Sequence, residues 1–380
     1  MKKVDLKLLA KVFFSWRILL FVFLIVGLRL LPAQSNFLGG GSESYSLNPY
    51  IWAWSNFDGE HYLSIAQNGY QPLTYFFFPF YPLLISFIGQ LMGGSLNTFN
   101  IAGQLISNMT FIVAMFGLWK IVRIDHKRKV AINTLILLVL FPTSYYFASV
   151  YTESLFLALA VWSFYAARQK KWFYAGLLGG LASATRIIGL ALIPALLIEY
   201  WQYTKPKKYK KEVLLLLLIP LGLLVYMVYL YRVTGDPLEF FNTVSIFGEQ
   251  RSSSLILFPQ VFYRYIFKIL PNLNYSYFPV VFTTWLEFIT AGLFLTLSVV
   301  AFKKLRLSYA LYMAVSYLVP TLAGSFSSMP RYILIIFPGF LLFSLWFTKR
   351  SRIVRTVILL GSTITLLIST ILFTRGFWVS

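Results

Sequence analysis

Asp58 and Glu60 stand two residues apart in Trp54–Tyr70, WSNFDGEHYLSIAQNGY, directly after the first long apolar stretch of the chain. A carboxylate held against an apolar phase can take a proton from a hydroxyl or share a divalent cation. Glu153, after Ser-Val-Tyr-Thr, is a second acid of this kind, at the end of another apolar segment. Arg186, Arg251 and Arg331 border apolar runs, where a charge is costly and a functional role is the first hypothesis. Their planar donor forks suit a phosphate. Each residue also has a plainer use. Asp58 fits the N-cap of a short helix, Gly59–Gln67, that Asn68-Gly69 ends. Glu153 fits a helix N-terminus, and the arginines can snorkel to an interface. Glu60 lies two residues from Asp58 and points elsewhere on that helix, so it reads as a supporting acid. Tyr62, Ile65 and Ala66 give the helix an apolar face to lay on a membrane.

The elements that must carry these residues are membrane helices. The 380 residues are 58% hydrophobic and 12% charged, against about 25% charged in soluble domains. Several apolar runs exceed the ~18 residues that mark a spanning helix. The formal charge of +21 comes from short basic clusters between apolar runs, as on cytoplasmic loops. No nucleic-acid-binding module accompanies it. Cysteine is absent and only His61 and His126 are present, which leaves thiolate and histidine metal sites without ligands. Walker, GxGxxG and HExxH patterns are absent as well.

Charge parity threads the chain. Trp16–Leu31 is the first span, its basic N-terminus inside. If Phe76–Gly93 crossed, the later basic clusters would face outward, so this Pro79- and Pro82-containing stretch is expected to lie on the outer side. The remaining expected spans are Asn97–Val122, Val130–Ala148, Leu155–Ala167, the pair Trp172–Thr185 and Ile187–Tyr203, Val213–Tyr231, Phe278–Phe302, Ser308–Gly324, Tyr332–Phe347 and Thr356–Phe373. About eleven spans result, in one polytopic domain covering 1–380. Its first external loop runs about 34–96 and a long external segment about 232–277. Asp58, Glu60, Glu153, Asp236, Glu239 and Glu249 then share the outer face with Arg186, Arg232, Arg251 and Arg331. Glu287, well inside a span, is another costly charge, expected to pair within the bundle. The aromatic run Tyr75–Tyr81 reads as an interfacial belt or as the wall of a sugar or isoprenoid groove.

The stretches FDGEHYLSIAQNGY, FFFPFYPLL, FPTSYYFASVYTESLF, ATRIIGL, TGDPLEFF and SMPRYILIIFP occur in this order over nearly the whole chain. In that ordered set the sequence resembles the PIG-V family of GPI mannosyltransferases and its prokaryotic relatives, within the C-type (GT-C) glycosyltransferase superfamily. The resemblance implies an all-α integral membrane bundle with membrane-lying helices in the first external loop. It implies inverting transfer of a hexose, in the family usually mannose, from a polyprenyl- or dolichyl-phosphate sugar to a glycan or glycolipid hydroxyl. By motif match Asp58 is the catalytic carboxylate and Glu153 the second acid. Arg186, Arg331 and Arg251 are candidates for the donor phosphate, and His61, Tyr62 and Tyr81 for the substrate groove. No cofactor is required by this scheme, though Mg or Mn on Asp58, Glu60 and Glu153 is compatible with it. Phe57 stands where relatives often carry Trp. The expected location is a prokaryotic plasma membrane, or the ER membrane in a eukaryote, with the N-terminus cytoplasmic and the site extracytoplasmic. The competing reading is a polytopic transporter or lipid-linked sugar flippase, which would string polar residues across the midplane.

Overall fold

The computed structural model describes residues 3–204, 211–242, 256–322 and 324–379. Helices account for its architecture: α1 (Lys3–Leu30), α2 (Gly41–Leu47), α3 (Pro49–Trp52), α4 (Asp58–Asn68), α5 (Phe80–Leu91) and α6 (Leu96–Asp125) come first. They are followed by α7 (Arg128–Val139), α8 (Glu153–Arg168), α9 (Trp172–Thr185), α10 (Leu192–Thr204), α11 (Leu218–Thr234) and α12 (Glu239–Asn242). The chain closes with α13 (Phe258–Arg264), α14 (Phe278–Lys304), α15 (Leu307–Thr321), α16 (Met329–Tyr332), α17 (Phe337–Thr348) and α18 (Arg352–Thr374).

Among the described residues five helices are long and apolar enough to cross a membrane: Asp5–Leu30, Leu96–Asp125, Lys211–Thr234, Phe278–Lys304 and Arg352–Thr374. The bent pair Met329–Ile335 and Phe337–Thr348, kinked by 85°, would make a sixth. Large apolar side chains such as Ile18, Val225, Val299 and Val357 stay exposed along these helices, as surfaces that face lipid do. The protein is a multi-pass membrane protein. The other expected spans are shorter helices. Val130–Ala148 breaks after Val139, where Pro142 cannot continue the hydrogen-bond ladder, and resumes as a single tight turn at Ser144–Ala148. At 12 residues α5 reaches only about 18 Å, short of the ~30 Å hydrocarbon layer.

The chain divides into two compact units. The first comprises Met1–Asn68, Pro82–Ala158 and Phe340–Val379. Here the Arg128 guanidinium bridges Asp5 at 3.1 Å, so the N-terminus and the basic loop before α7 occupy one end. At the far ends of α1 and α18, Arg375 donates to the Leu31 carbonyl at 2.7 Å. Asn56 donates to the Phe373 carbonyl at 2.8 Å, which puts the Asp58 turn at that same far end.

The second unit comprises Gly69–Tyr81, Leu159–Gly339 and Ser380, the last of these outside the described residues. At one end Glu199 is buried between Arg168, 3.4 Å away, and Arg306, 2.8 Å away, with Ser308 donating to it as well. The basic loops after α8 and before α15 therefore meet beside the end of α10. Close helix approach shapes the rest: a side chain on Gly222 would collide with the Gly180 carbonyl, so α9 and α11 pack backbone to backbone. The aromatic run contributes to this unit's core. Tyr75 and Phe78 are buried with Leu223, Tyr226, Leu230 and Phe240, and Tyr226 donates to the Tyr75 carbonyl at 2.7 Å. The run is thus an internal wall and not an interfacial belt, because its phenol and carbonyl groups find partners inside the protein.

Candidate active site

The acid-bearing turn is built by Asn56. This side chain is fully buried. Its amide donates to the Phe373 carbonyl, and its Oδ1 accepts from the Gly39 N–H, each at 2.8 Å. Its own carbonyl accepts from the Tyr151 hydroxyl at 2.8 Å. The next residue, Phe57, holds φ 59°, in the left-handed region that a bulky side chain rarely adopts. Its N–H donates to the Phe37 carbonyl at 2.9 Å, and its ring stacks on Phe37 and meets Trp378 edge-on. That reversal delivers Asp58 as the first residue of α4, one position inside the helix and not at its N-cap. Gly69, at φ 77°, ends α4 as expected. The face carrying Tyr62, Ile65 and Ala66 is buried by protein, against α6 and the turn before α4, and does not lie on lipid.

Two ties join this turn to the Glu153 segment. The Val150 N–H donates to the Trp54 carbonyl at 2.8 Å, one residue before Tyr151 and two before Asn56, beside the Tyr151–Asn56 bond. Gly59 faces Val150 and Tyr151 so closely that a methyl group there would just touch them. Tyr62 sets its edge against Tyr151 at 6.3 Å between centroids. Glu153, wholly buried, opens α8 two residues after Tyr151. Asp58 and Glu153 therefore sit on two segments that are pinned to each other. Glu60 departs from them: its Oε1 accepts from the Gly41 N–H at 3.3 Å, and burial pushes its carboxyl above the ordinary range against the pull of that bond. Burial lowers the His61 imidazole pKa, and the Asp58 charge opposes that shift. Asp236 binds the Leu238 N–H and the Asn242 amide, which makes it a local cap of α12.

Supports that composition did not reveal come from α6 and α1. Asn100, Gln104 and Ser107 fall at helical spacing on one face. Asn100 accepts from Ser55 at 2.6 Å, Gln104 donates to the Ile51 carbonyl at 2.9 Å, and Ser107 donates to the Tyr151 carbonyl at 3.3 Å. A polar stripe in an apolar helix was the available signal. Arg17, inside α1, lies over the Trp54 ring at 5.1 Å.

In the second unit Arg186 and Arg331 converge on one ring: their guanidinium carbons are 5.3 and 5.4 Å from the Tyr332 centroid. Arg186 occupies the extended break between α9 and the turn Ile187–Ala191. That turn folds back on α9 only because Gly189 has no side chain to strike Ser183. Arg331 is buried in α16. Two cations sharing one ring make a natural receptor for a doubly charged anion. Arg186 follows the end of α9 that is remote from Arg168. Glu287 has its partners here too, accepting from the Tyr265 hydroxyl at 2.9 Å and the Ser328 N–H at 3.3 Å. Tyr81 is fully buried at the start of α5, a wall residue and not an open surface. Arg251 and Glu249 lie outside the described residues. Among the described residues no three His, Asp or Glu side chains form a metal-binding group.

The fold is similar to that of ArnT from Cupriavidus metallidurans bound to undecaprenyl phosphate, with a TM-score of 0.52 and 14% identity over 97% of this chain and 76% of that one. The apo form of the same enzyme gives 0.50 and 16% over the same shares. The Archaeoglobus fulgidus oligosaccharyltransferase matches at 0.43, with 12% identity over 96% of this chain and 55% of that one. The all-helical architecture is the fold shared with ArnT. No curated protein sequence matches the chain. The mannosyltransferase (PIG-V) family profile matches residues 12–234, more than half of the chain, and the protein belongs to that family. It is a glycosyltransferase.

Proposed function

We propose that the protein transfers a hexose, mannose by its family, from a polyprenyl- or dolichyl-phosphate donor to a hydroxyl of a glycan or glycolipid, with inversion. The acceptor oxygen attacks the anomeric carbon, the bond from that carbon to the lipid phosphate breaks, and the acceptor proton passes to Asp58. Glu153 orients the acceptor hydroxyl. Arg186 and Arg331 take the charge that grows on the leaving lipid phosphate. Arg251 is assigned to the same phosphate by its motif position. The observation that carries the reading is the Asn56–Asp58 turn. A bulky residue is held in a left-handed conformation by buried hydrogen bonds, and strain of this kind concentrates where a side chain must be aimed.

Undecaprenyl phosphate bound to ArnT, which shares the fold, supports a lipid-phosphate donor. The bias of Lys and Arg toward the cytoplasm supports a cytoplasmic Asp5–Arg128 end of the first unit and, with it, an extracytoplasmic Asp58. A bacterial or archaeal plasma membrane fits the short basic loops. A divalent cation, where one takes part, would draw on Asp58 and Glu153 and on donor phosphate oxygens, since Mg²⁺ commonly uses one or two carboxylates. Loss of transfer in EDTA, restored by Mg²⁺ or Mn²⁺, assigns that cation, whereas full activity in EDTA leaves both carboxylates to the acceptor. The principal test is Asp58→Asn with radiolabelled polyprenyl-phosphate mannose in proteoliposomes. Transfer should vanish while expression and melting midpoint persist, and the wild-type product should carry the inverted anomeric configuration. Full transfer by this variant overturns the assignment.

A further inference from the structure

Glu287 lies in α14, far from either end, where a buried charge needs a reason. Its two oxygens are spent on different elements. Oε2 accepts from Tyr265, at the end of α13, and Oε1 accepts from the backbone N–H of Ser328. Ser328 sits at φ 66°, ψ 9°, a left-handed residue that is not glycine, and its side chain makes no cap bond to α16. Its carbonyl accepts from the Arg331 N–H at 3.0 Å and the Tyr332 N–H at 2.9 Å, so the direction of Ser328 sets the direction of the single turn that carries Arg331. The same loop is gripped from α13. Arg264 donates to the Gly324 carbonyl at 2.8 Å, and Phe326 packs on the rings of Phe262 and Tyr265 at 4.6 and 4.8 Å.

We propose that Glu287 is a positioning residue for the donor site: through Ser328 it fixes the strained turn that presents Arg331 to the phosphate of the lipid-linked sugar. This rests on the assignment of Arg331 to that phosphate. A non-glycine left-handed residue persists only where its surroundings over-determine it. The Glu287–Ser328 bond acts on the left-handed residue itself, while the contacts from α13 hold the loop before it, and a carboxylate makes a stronger acceptor than a neutral group. Glu287 itself does not touch the reacting atoms in this scheme. Its loss should weaken donor binding and leave the chemical step on bound donor largely intact.

The experiment measures donor KM and kcat for Glu287→Gln, Tyr265→Phe, Arg331→Gln and the double variant Glu287→Gln/Arg331→Gln, with melting midpoints in detergent. Donor KM should rise about tenfold in Glu287→Gln, with kcat changed less, as expected when one charge-assisted bond at the turn is weakened. Tyr265→Phe, which removes a single hydroxyl, should raise KM in the same direction. In the Arg331→Gln background the Glu287 change should add nothing to KM, because it acts through that arginine. A full additional rise there, or an unchanged KM in Glu287→Gln while Arg331→Gln raises it, overturns the positioning role alone. An unchanged donor KM in Arg331→Gln overturns the phosphate assignment on which it rests.

Discussion

Asn56→Ala should separate the aim of the acid from the stability of the fold. The substitution leaves the Gly39 N–H buried without its partner and takes one bond from the Phe373 carbonyl, which keeps the Gly376 N–H. The orphaned N–H costs about 1–3 kcal/mol and the second bond about 0.5–1.5 kcal/mol, so about 1.5–4.5 kcal/mol of restraint disappears from the turn. Holding Phe57 at positive φ costs about 1–3 kcal/mol. The restraint lost is at least as large as the strain it opposes, so Phe57 relaxes and carries Asp58 with it. A displacement near 1 Å at a reacting group can cost about 100-fold in rate. The expected result is therefore a fall of about 100-fold in kcat for mannose transfer at saturating donor, with donor KM within about threefold of wild type. Asn56→Asp should fall as far, since it keeps the acceptor for Gly39 but sets a carboxylate oxygen against the Phe373 carbonyl. Wild-type kcat in Asn56→Ala, with Asp58→Asn inactive, would refute the claim that this turn aims the acid.

Glu60→Gln keeps an acceptor for the Gly41 N–H while removing a charge whose pKa burial raises. A raised carboxyl pKa means that folding is favoured below the unfolded value and loses that contribution as pH rises. The neutral variant should therefore melt higher than wild type at pH 7, and the gap should close below about pH 4.3 in a detergent thermal-shift series. His61 has its pKa lowered in the folded state, so stability from this group is present above its unfolded pKa and declines as pH falls through that value toward the folded one. Asp58→Asn removes the charge that opposes this shift. The His61 midpoint, followed by ¹⁵N-histidine NMR in a His126→Gln background, should move further down; an upward move contradicts the placement of the two side chains. Glu199→Ala leaves Arg168 and Arg306 facing one another at a buried site, a change worth about 3–5 kcal/mol. Its melting midpoint should drop by several degrees, and an unchanged midpoint would show that the cluster is dispensable.

The outline of the fold was legible because the bilayer restricts it. Apolar length and the siding of Lys and Arg identify membrane helices without reference to tertiary contacts. The expected grouping of basic loops reappears in the Asp5–Arg128 bridge and in the meeting of Arg168, Glu199 and Arg306 within their own units. Breaks inside apolar runs were harder to see. Pro142 ends α7, and the chain bends by 85° beside Pro338, yet Pro320 is accommodated inside α15. Amphipathic spacing misled at α4, and composition left Tyr75–Tyr81 open between belt and wall, because an apolar face looks the same whether lipid or protein covers it. The acid residues themselves stood out by type. Asn56 and Tyr151 did not, and Glu287 stood out only as a costly charge, since the partners of all three lie across 17 to 317 positions of sequence that no local pattern encodes.

The polar groups of this chain sort by what their partners are. Glu199 is enclosed by two arginines and a serine, a balance that leaves it no capacity for a substrate. Asp236 closes its own turn and Glu60 binds a backbone N–H, so an acid near the surface is accounted for in each case. Glu287 spends both oxygens on protein donors. Asp58 is set by rigid groups immediately before it, at Asn56 and Phe57, and immediately beside it, at Val150 and Tyr151. A carboxylate that takes a proton in a reaction must be aimed closely, and a backbone fixed on both sides does that. That fixed backbone is what the proposed role of Asp58 as the acceptor's base rests on, with Glu153 on the segment pinned beside it.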